Sequence, residues 1–510
     1  MMTKKETYKK LKSGTDIRGV AVETADKPVE LTDEAVFDLT SGFCLWLHEK
    51  GVRSGSKISV GHDSRISAER IKKQVINALL SFGFHVFDCS LASTPAMFMT
   101  TVDLGCEAAV QITASHHPFD RNGLKFFTKD GGLDGTDIEK VIDFACEYSL
   151  PADEEKGMVK EVDYMSVYSE RLRDMICREV NAENYEKPLE GYKIVVDAGN
   201  GVGGFYAEKV LKPLGADITG SQFLDPDGMF PNHAPNPENE QAMKSISEAV
   251  KRNHADLGII FDTDVDRAGC VDESGREINR NRLVALAAII ALENNPGGTI
   301  VTDSVTSTGL TDFINNTLHA VHYRYRRGYR NVINRQIELN EKGINCPLAI
   351  ETSGHAAFRE NYYLDDGAYL ITKIVIKTAC MGRNGKKLET LIEEMKDPAE
   401  ACELRPKILE DDFRQYGNFV LSELEKYADG REGWKIADDN REGIRVFLDN
   451  EHGDGWFLLR LSVHDPLMPL NIESDSCGGT IAIVNQVYDF LKSFDRLDVS
   501  MIGAYIESHR

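Results

Sequence analysis

The 510-residue chain holds no apolar run long enough to cross a bilayer. The longest, Leu283–Leu292, is roughly half of the ~20 residues a spanning helix needs. No apolar stretch follows the lysines of the N-terminal segment MMTKKETYKKLKSG, so no secretory signal is expected. The ten cysteines make no CxxC pair and no metal-type cluster, which argues for reduced, mostly buried thiols in a cytoplasmic protein. Positive charge is scarce as well: 59 Lys and Arg face 82 Asp and Glu, leaving −23. Such a surface repels nucleic acid and anionic membrane at long range, so neither is expected as a main partner. Local basic residues have to catch any anionic substrate. There is no low-complexity segment and no G-x-S-x-G elbow, which disfavours an acyl-transfer triad. The glycine-rich DAGNGVGG (Asp197–Gly204) lacks both the G-x-G-x-x-G order and the Lys-Ser/Thr of a P-loop, and reads as a tight strand–helix turn.

What is present is ordinary globular material, 42% hydrophobic and 28% charged, in a length that suits three or four domains. Strand and helix signals alternate nearly throughout, as in α/β units. Val36, Leu39, Phe43 and Leu47 repeat at helical spacing in Leu31–Gly51, with Thr32 to cap the start and Gly51 to end it. A strand at Lys57–Val60, a helix through Ile71–Ser81 and a strand around Phe84–Asp88 are expected next. KISVGHD, KIVVDAGNG and TIVTDSVTS, about one domain apart, end in comparable polar turns. From about Arg405 the pattern changes to a helix (Asp411–Tyr427), short alternating segments and a closing helix (Thr480–Ser493), a smaller α+β domain.

Four strings carry polar side chains at the ends of apolar segments. In ITASHHPFDRNGLKFF (Ile112–Phe127) a strand runs into a turn bearing Ser115, His116 and His117, and Pro118 blocks helical continuation. Alone, this pair reads as a turn satisfying its own backbone, with an activated serine as the alternative. In LGIIFDTDVDRAG (Leu257–Gly269) an apolar strand delivers Asp262, Asp264 and Asp266 at alternate positions, then Arg267. If the extended geometry continues, the three carboxylates project to one side, where a hard cation such as Mg²⁺ offsets their repulsion. DTDV is also similar to the nucleophile motif of haloacid-dehalogenase-type phosphatases, with Asp262 as nucleophile and Asp264 as acid. AIETSGHAAF offers Glu351, Ser353 and His355, groups suited to adjacent sugar hydroxyls, although a Gly-containing turn carries such residues for local reasons too. In LLRLSVHDPLMPLNIES (Leu458–Ser474), Arg460, Ser462 and His464 surround a tight turn that is either a phosphate clamp or a surface turn.

Taken in this order, the strings resemble the α-D-phosphohexomutase superfamily, the phosphoglucomutase/phosphomannomutase enzymes. T-A-S-H-H-P matches its phosphoserine loop, D-T-D-V-D-R its metal loop, E-T-S-G-H its sugar loop and R-L-S the start of its C-terminal phosphate loop. G-T-D-I-R-G (Gly14–Gly19) is like its opening motif. The resemblance covers nearly the whole chain and implies a heart-shaped arrangement of three related α/β domains and a C-terminal α+β, TATA-box-binding-protein-like domain. The expected boundaries are 1–158, 159–276, 277–400 and 401–510.

The activity implied is reversible phosphoryl transfer between C1 and C6 of a hexose phosphate (glucose, mannose or both) through phosphoserine, with a hexose 1,6-bisphosphate as intermediate and primer. Ser115 would carry the phosphoryl group, and a phosphoserine oxygen with Asp262, Asp264 and Asp266 would hold Mg²⁺. Lys125, in the N-G-x-K position, would be the general acid or base, a role that as a base needs a lowered pKa from cations or burial. His355 would stand near the same proton transfers, and Arg18 and Arg267 would stabilise the transferring group. Glu351 and Ser353 would hold sugar hydroxyls, Gly328, Tyr329 and Arg330 would form the third-domain substrate loop, and Arg460, Ser462 and His464 would grip the other phosphate.

Two departures bear on the sugar. The family's R-x-S-G-T-E-P is here Arg460-Leu-Ser462-Val-His464-Asp465-Pro466, without the glycine and with His464 in place of a threonine donor. Tyr329 stands where bacterial bifunctional members often have His. The pattern is closer to a plant-like or Bacteroidetes-like subgroup than to the phosphoglucosamine mutases. The phosphatase and a non-catalytic sugar-phosphate-binding relative are the alternatives. The partners expected are small hexose phosphates, with no nucleic acid and no membrane, and no oligomeric state is assigned.

Overall fold

The computed structural model describes residues 3–148, 157–462 and 465–509. His464 lies outside them. The chain forms two compact units: one runs through Glu293 and takes in Pro347–Leu391, the other comprises Asn294–Cys346 and the chain from Ile392 on.

The first unit opens with a mixed sheet in the order Lys12–Ser13, Asp16–Val20, Arg121–Thr128, Ala108–Ile112, Lys57–His62, His85–Leu91 and Val159–Glu161. Its last four strands are parallel. Ala108–Ile112 is buried at every position, the signature of a central strand covered on both faces. The helix Asp33–Glu49 starts where Thr32 accepts a bond from the Ala35 amide. Its stripe of Val36, Leu39, Phe43 and Leu47 is fully buried in the core, at about 1.5–3 kcal/mol per large side chain. The expected elements are there with shifted ends: the strands Lys57–His62 and His85–Leu91 run further than the sequence suggests, and the helix between them is Ala68–Ser81.

A second sheet has the order Glu277–Ile278, Ala268–Asp272, Leu257–Phe261, Ile194–Asp197, with the helix Glu240–Asn253 against it. The turn after Ile194–Asp197 leads into a short π-helix, Tyr206–Leu211. The antiparallel strands Leu348–Ile350, Ala356–Phe358 and Leu364–Asp365 and the helix Gly367–Gly382 complete the unit. Among the described residues no helix is long and apolar enough to cross a membrane.

The second unit holds the parallel pair Thr299–Thr302 and Val321–Arg324, the helix Tyr329–Glu341 and an antiparallel sheet in the order Glu400–Leu404, Leu470–Ser474, Gly455–Leu459, Ile444–Leu448, Trp434–Ile436. Its helices Phe413–Ala428 and Gly479–Leu491 bury Val420, Leu424, Val484 and Val487 against that sheet, which makes this part α+β. Gly479–Leu491 is not the closing helix expected. Ser500–Ser508 follows it and packs Ile502 and Ile506 into the same core.

Candidate functional site

Hairpin register sets the first half of the site. Ala108–Ile112 pairs with Arg121–Thr128 so that Gln111 faces Lys125 and Ile112 faces Leu124. Arg18 is brought opposite Gly123 by the next strand. Ser115 lies three residues past the strand end, 1% exposed, in the left-handed region at φ 51°. Its amide donates to Thr113 Oγ1 at 2.8 Å, and its hydroxyl donates to Asp262 Oδ2 at 3.1 Å and lies 3.2 Å from His116 Nδ1.

The second half is the loop after Leu257–Phe261. The three aspartates do not project from a continued strand, because the chain leaves the extended conformation and Val265 takes φ 66°. The turn brings the carboxylates together instead. Oxygens of Asp262, Asp264 and Asp266 lie within 4.8 Å of one another, all buried. Lys125 Nζ donates to Asp266 Oδ2 at 2.5 Å and to Asp264 Oδ2 at 3.4 Å. Asp264 Oδ2 also accepts from the Thr94 hydroxyl, and its carbonyl from the Thr94 amide at 2.9 Å. Thr94 opens the helix Thr94–Asp103, where orphan donors favour a carboxylate.

Burial first, then mutual repulsion with Asp266, raises the carboxyl pKa values of Asp262 and Asp264. Burial acts the same way on Asp266, but the Lys125 ammonium, which donates to it, and the Arg267 guanidinium outweigh it and hold this carboxyl low. Asp264 Oδ1 and Asp266 Oδ1 are buried with no hydrogen-bond partner. Clustered buried carboxylates with unsatisfied oxygens fit a cation, so this triad could hold a metal ion.

Arg267 bridges to the third polar cluster. Its Nε donates to His355 Nε2 at 2.8 Å, its Nη1 to Glu238 Oε2 at 3.4 Å and its amide to Asp262 Oδ1 at 3.2 Å. His355 Nδ1 lies 2.5 Å from Asp365 Oδ2. An imidazole that accepts from a guanidinium is neutral, and burial, then Arg267, pushes its pKa down to about 4. The hydrogen-bond network therefore assigns the proton to Nδ1. Glu351 and Ser353 are buried in the turn before His355, 3.4 Å apart, with Gly354 at φ 95°. His116 and His117 stack at 5.0 Å. Arg267, then burial, takes His116 far below the usual imidazole range, and burial, then Arg18, brings His117 down to about 3. The positive charge beside Ser115 is therefore guanidinium and ammonium, not imidazolium.

Several residues that position this site escaped sequence reading. Arg65 donates Nη2 to the carbonyls of Ser115 and His117, Nη1 to those of Pro118 and Arg121, and Nε to Asp63 Oδ2. Asp63 Oδ2 also accepts from Thr113 at 2.7 Å. The DAGNGVGG turn backs the aspartate loop: a Cβ on Gly201 would meet Thr263 backbone at 2.6 Å, and Val202 donates to the Thr263 carbonyl. Gly367 does the same from the far side, its amide bound to the Val265 carbonyl and its Cβ position 2.7 Å from the Arg267 carbonyl carbon. Gly367→Ala therefore has to displace rigid backbone. A loss of about 1–3 kcal/mol is expected in denaturant titration. An unchanged Cm would refute this buttressing role. The short signals Ser93-Thr94-Pro95 and Asp365-Asp366-Gly367, both helix starts, were the available clues.

The remaining sequence-predicted residues belong to the second unit. Gly328 takes φ 114° at the start of the helix Tyr329–Glu341, so Tyr329 and Arg330 occupy its first turn. Arg460 is 7% exposed directly after Gly455–Leu459, and the Ser462 hydroxyl accepts from the Asp465 amide at 3.3 Å.

Three family domains match along the chain: phosphoglucomutase/phosphomannomutase alpha/beta/alpha domain I over residues 9–147, domain II over 167–275 and domain III over 279–398. The chain is 30% identical over 463 residues to the phosphoglucomutase/phosphomannomutase of Thermococcus kodakarensis, 90% of this chain and 93% of the relative. It is 28% identical over 479 residues to the phosphoglucomutase of Neisseria gonorrhoeae, 94% of this chain and 96% of the relative. Among solved structures it resembles a phosphoglucomutase/phosphomannomutase family protein from Burkholderia thailandensis, with TM-score 0.77 and 24% identity over 97% of this chain and 98% of that one.

Proposed function

The chain belongs to the phosphoglucomutase/phosphomannomutase family, and from that premise we propose that it moves a phosphoryl group reversibly between C1 and C6 of glucose or mannose phosphate. One observation carries this reading: the Ser115 hydroxyl sits 3.1 Å from a buried carboxylate of a three-aspartate cluster that also holds Lys125.

In the forward step the P–Oγ bond of phosphorylated Ser115 breaks and a bond to the free hydroxyl of the hexose phosphate forms, giving a 1,6-bisphosphate. After the intermediate turns over, its other phosphoryl group returns to Ser115. Lys125 exchanges the proton of the reacting hydroxyl, and Arg267 and Arg18 face the phosphoryl oxygens as fixed positive charge. His355, neutral and held through Nδ1 by Asp365, fixes the Arg267 guanidinium in place. A divalent cation of the Mg²⁺ type, suited to oxygen-only donors, would be held by Asp262, Asp264 and Asp266 and supplies charge neutralisation during transfer. Glu351 and Ser353 are assigned to sugar hydroxyls, and Gly328, Tyr329 and Arg330 to substrate recognition. A hexose 1,6-bisphosphate primes Ser115 when it is unphosphorylated. A reading with Asp262 as nucleophile uses an oxygen already bonded to Ser115 and leaves Ser115 without a task.

The test is a coupled assay with glucose 1-phosphate and mannose 1-phosphate, each primed by its 1,6-bisphosphate. Primer-dependent formation of the 6-phosphate is expected. Primer-independent release of inorganic phosphate would overturn the reading in favour of a phosphatase. Arg460 and Ser462 are assigned to the phosphate that is not transferred, so Arg460→Ala should lower kcat/KM about thirty- to a thousand-fold for both the 1-phosphate and the 6-phosphate. A defect in one direction alone would remove this loop from phosphate binding.

A further inference from the structure

In the second unit, the Glu442 carboxylate sits on a side-chain hydroxyl and a backbone amide. Loop 437–443 joins the antiparallel strands Trp434–Ile436 and Ile444–Leu448. Within it, Glu442 Oε2 accepts from the Ser304 hydroxyl and, at 3.1 Å, from the Arg327 amide. The loop is fixed by Arg324 Nη1 on Asp439 Oδ2 at 2.7 Å and by Arg326 Nε on the Arg441 carbonyl at 3.2 Å. The next residue, Gly443, lies directly on Arg460: a Cβ there would fall 2.8 Å from Arg460 Cα and Cβ and 2.2 Å from the Leu459 carbonyl oxygen.

Arg460 itself is buried, and its Nε has no hydrogen-bond partner among the described residues. Of the carboxylates around it, Glu442 acts on it most strongly. A hydroxyl, a backbone N–H and a buried guanidinium with an unused donor form a phosphate-binding set.

We propose that Ser304, the Arg327 amide and Arg460 form one seat for the phosphate of a hexose phosphate, and that Glu442 is an internal competitor which that phosphate displaces. This rests on the assignment of Arg460 to phosphate binding. While the seat holds no phosphate, Glu442 contributes the largest share of the negative charge that offsets the buried guanidinium, ahead of Glu403 and Asp303. A phosphate dianion brings more charge and three acceptor oxygens against the single oxygen that Glu442 places there, so it wins the seat. Glu442 stays close after displacement, and its like charge weakens phosphate binding.

The test uses the full chain and Glu442→Gln, which keeps an oxygen for Ser304 and Arg327 but removes the charge. Isothermal titration with inorganic phosphate should give a Kd lower by about ten-fold, the order of one like charge removed nearby. KM for glucose 1-phosphate and for glucose 6-phosphate should both fall while kcat changes little. Adding Ser304→Ala to Glu442→Gln should weaken binding again, since one phosphate donor is lost. A Glu442 that only holds the loop would instead give weaker binding and a lower melting temperature in Glu442→Gln. Unchanged or weaker phosphate binding in that variant, with binding still abolished by Arg460→Ala, overturns the competitor and leaves Arg460 as a phosphate ligand. Undiminished binding in Arg460→Ala overturns both.

Discussion

Ser115→Ala is expected to lose turnover by about 10⁴-fold or more, because the residue it removes is the covalent carrier. The fold should survive. Ser115 occupies a left-handed turn set by Thr113 and by Arg65 on its carbonyl, and both contacts use backbone atoms that alanine retains. The check is steady-state kinetics with primer beside a denaturation curve. A folded Ser115→Ala enzyme with near-normal kcat would remove Ser115 from the mechanism.

Arg65→Met should come second in size, through a different link in the chain of causes. Arg65 never reaches the reacting atoms in this account. Its guanidinium instead collects four carbonyls of the Ser115–Arg121 loop and one buried carboxylate. Methionine fills much of the volume but leaves Asp63 buried without its cation and the carbonyls without donors, a loss of about 3–5 kcal/mol. The loop then no longer fixes Ser115, and a fall in kcat of about 100-fold is expected from misplacement alone. The two effects separate in Arg65→Lys, which restores the charge next to Asp63 but cannot span the carbonyls. Stability should recover in part while kcat stays low. If kcat recovers together with stability in the lysine variant, Arg65 supports the fold only.

Arg65 also shows where the sequence stops being legible. The alternate aspartates after an apolar strand are a local pattern and point to a cation on their own. The Ser-His turn alone reads as a backbone-satisfying turn, and it and the N-G-x-K spacing take their roles only from the resemblance of all the strings together. The four carbonyl partners of Arg65 lie some fifty residues further along the chain, and nothing in HDSR announces them. Asp365 and His355 are likewise joined only by the fold of a short antiparallel sheet. The aspartate loop was recognised for a geometry it does not have. Alternation along an extended strand was expected, whereas a turn with Val265 at positive φ brings the carboxylates together. That conformation depends on Gly201, Thr94 and Gly367 from three other segments, which a local pattern cannot contain. In the α/β domains helix and strand identities followed from periodicity and caps, and the ends shifted by a few residues where tertiary pairing extended a strand. The helix Ser500–Ser508 went unread because its short apolar pair, Ile502 and Ile506, is too brief a periodic signal to stand alone.

The central claim is that Ser115 carries the phosphoryl group, and covalent labelling tests it most directly. The protein is incubated with glucose 1,6-bisphosphate, its intact mass is measured, and the modified peptide is sequenced. One phosphate per chain is expected, on Ser115, stable to hydroxylamine as a phosphate ester is. A hydroxylamine-labile phosphate on Asp262, or no covalent phosphate in a protein that still turns over hexose phosphates, would contradict it.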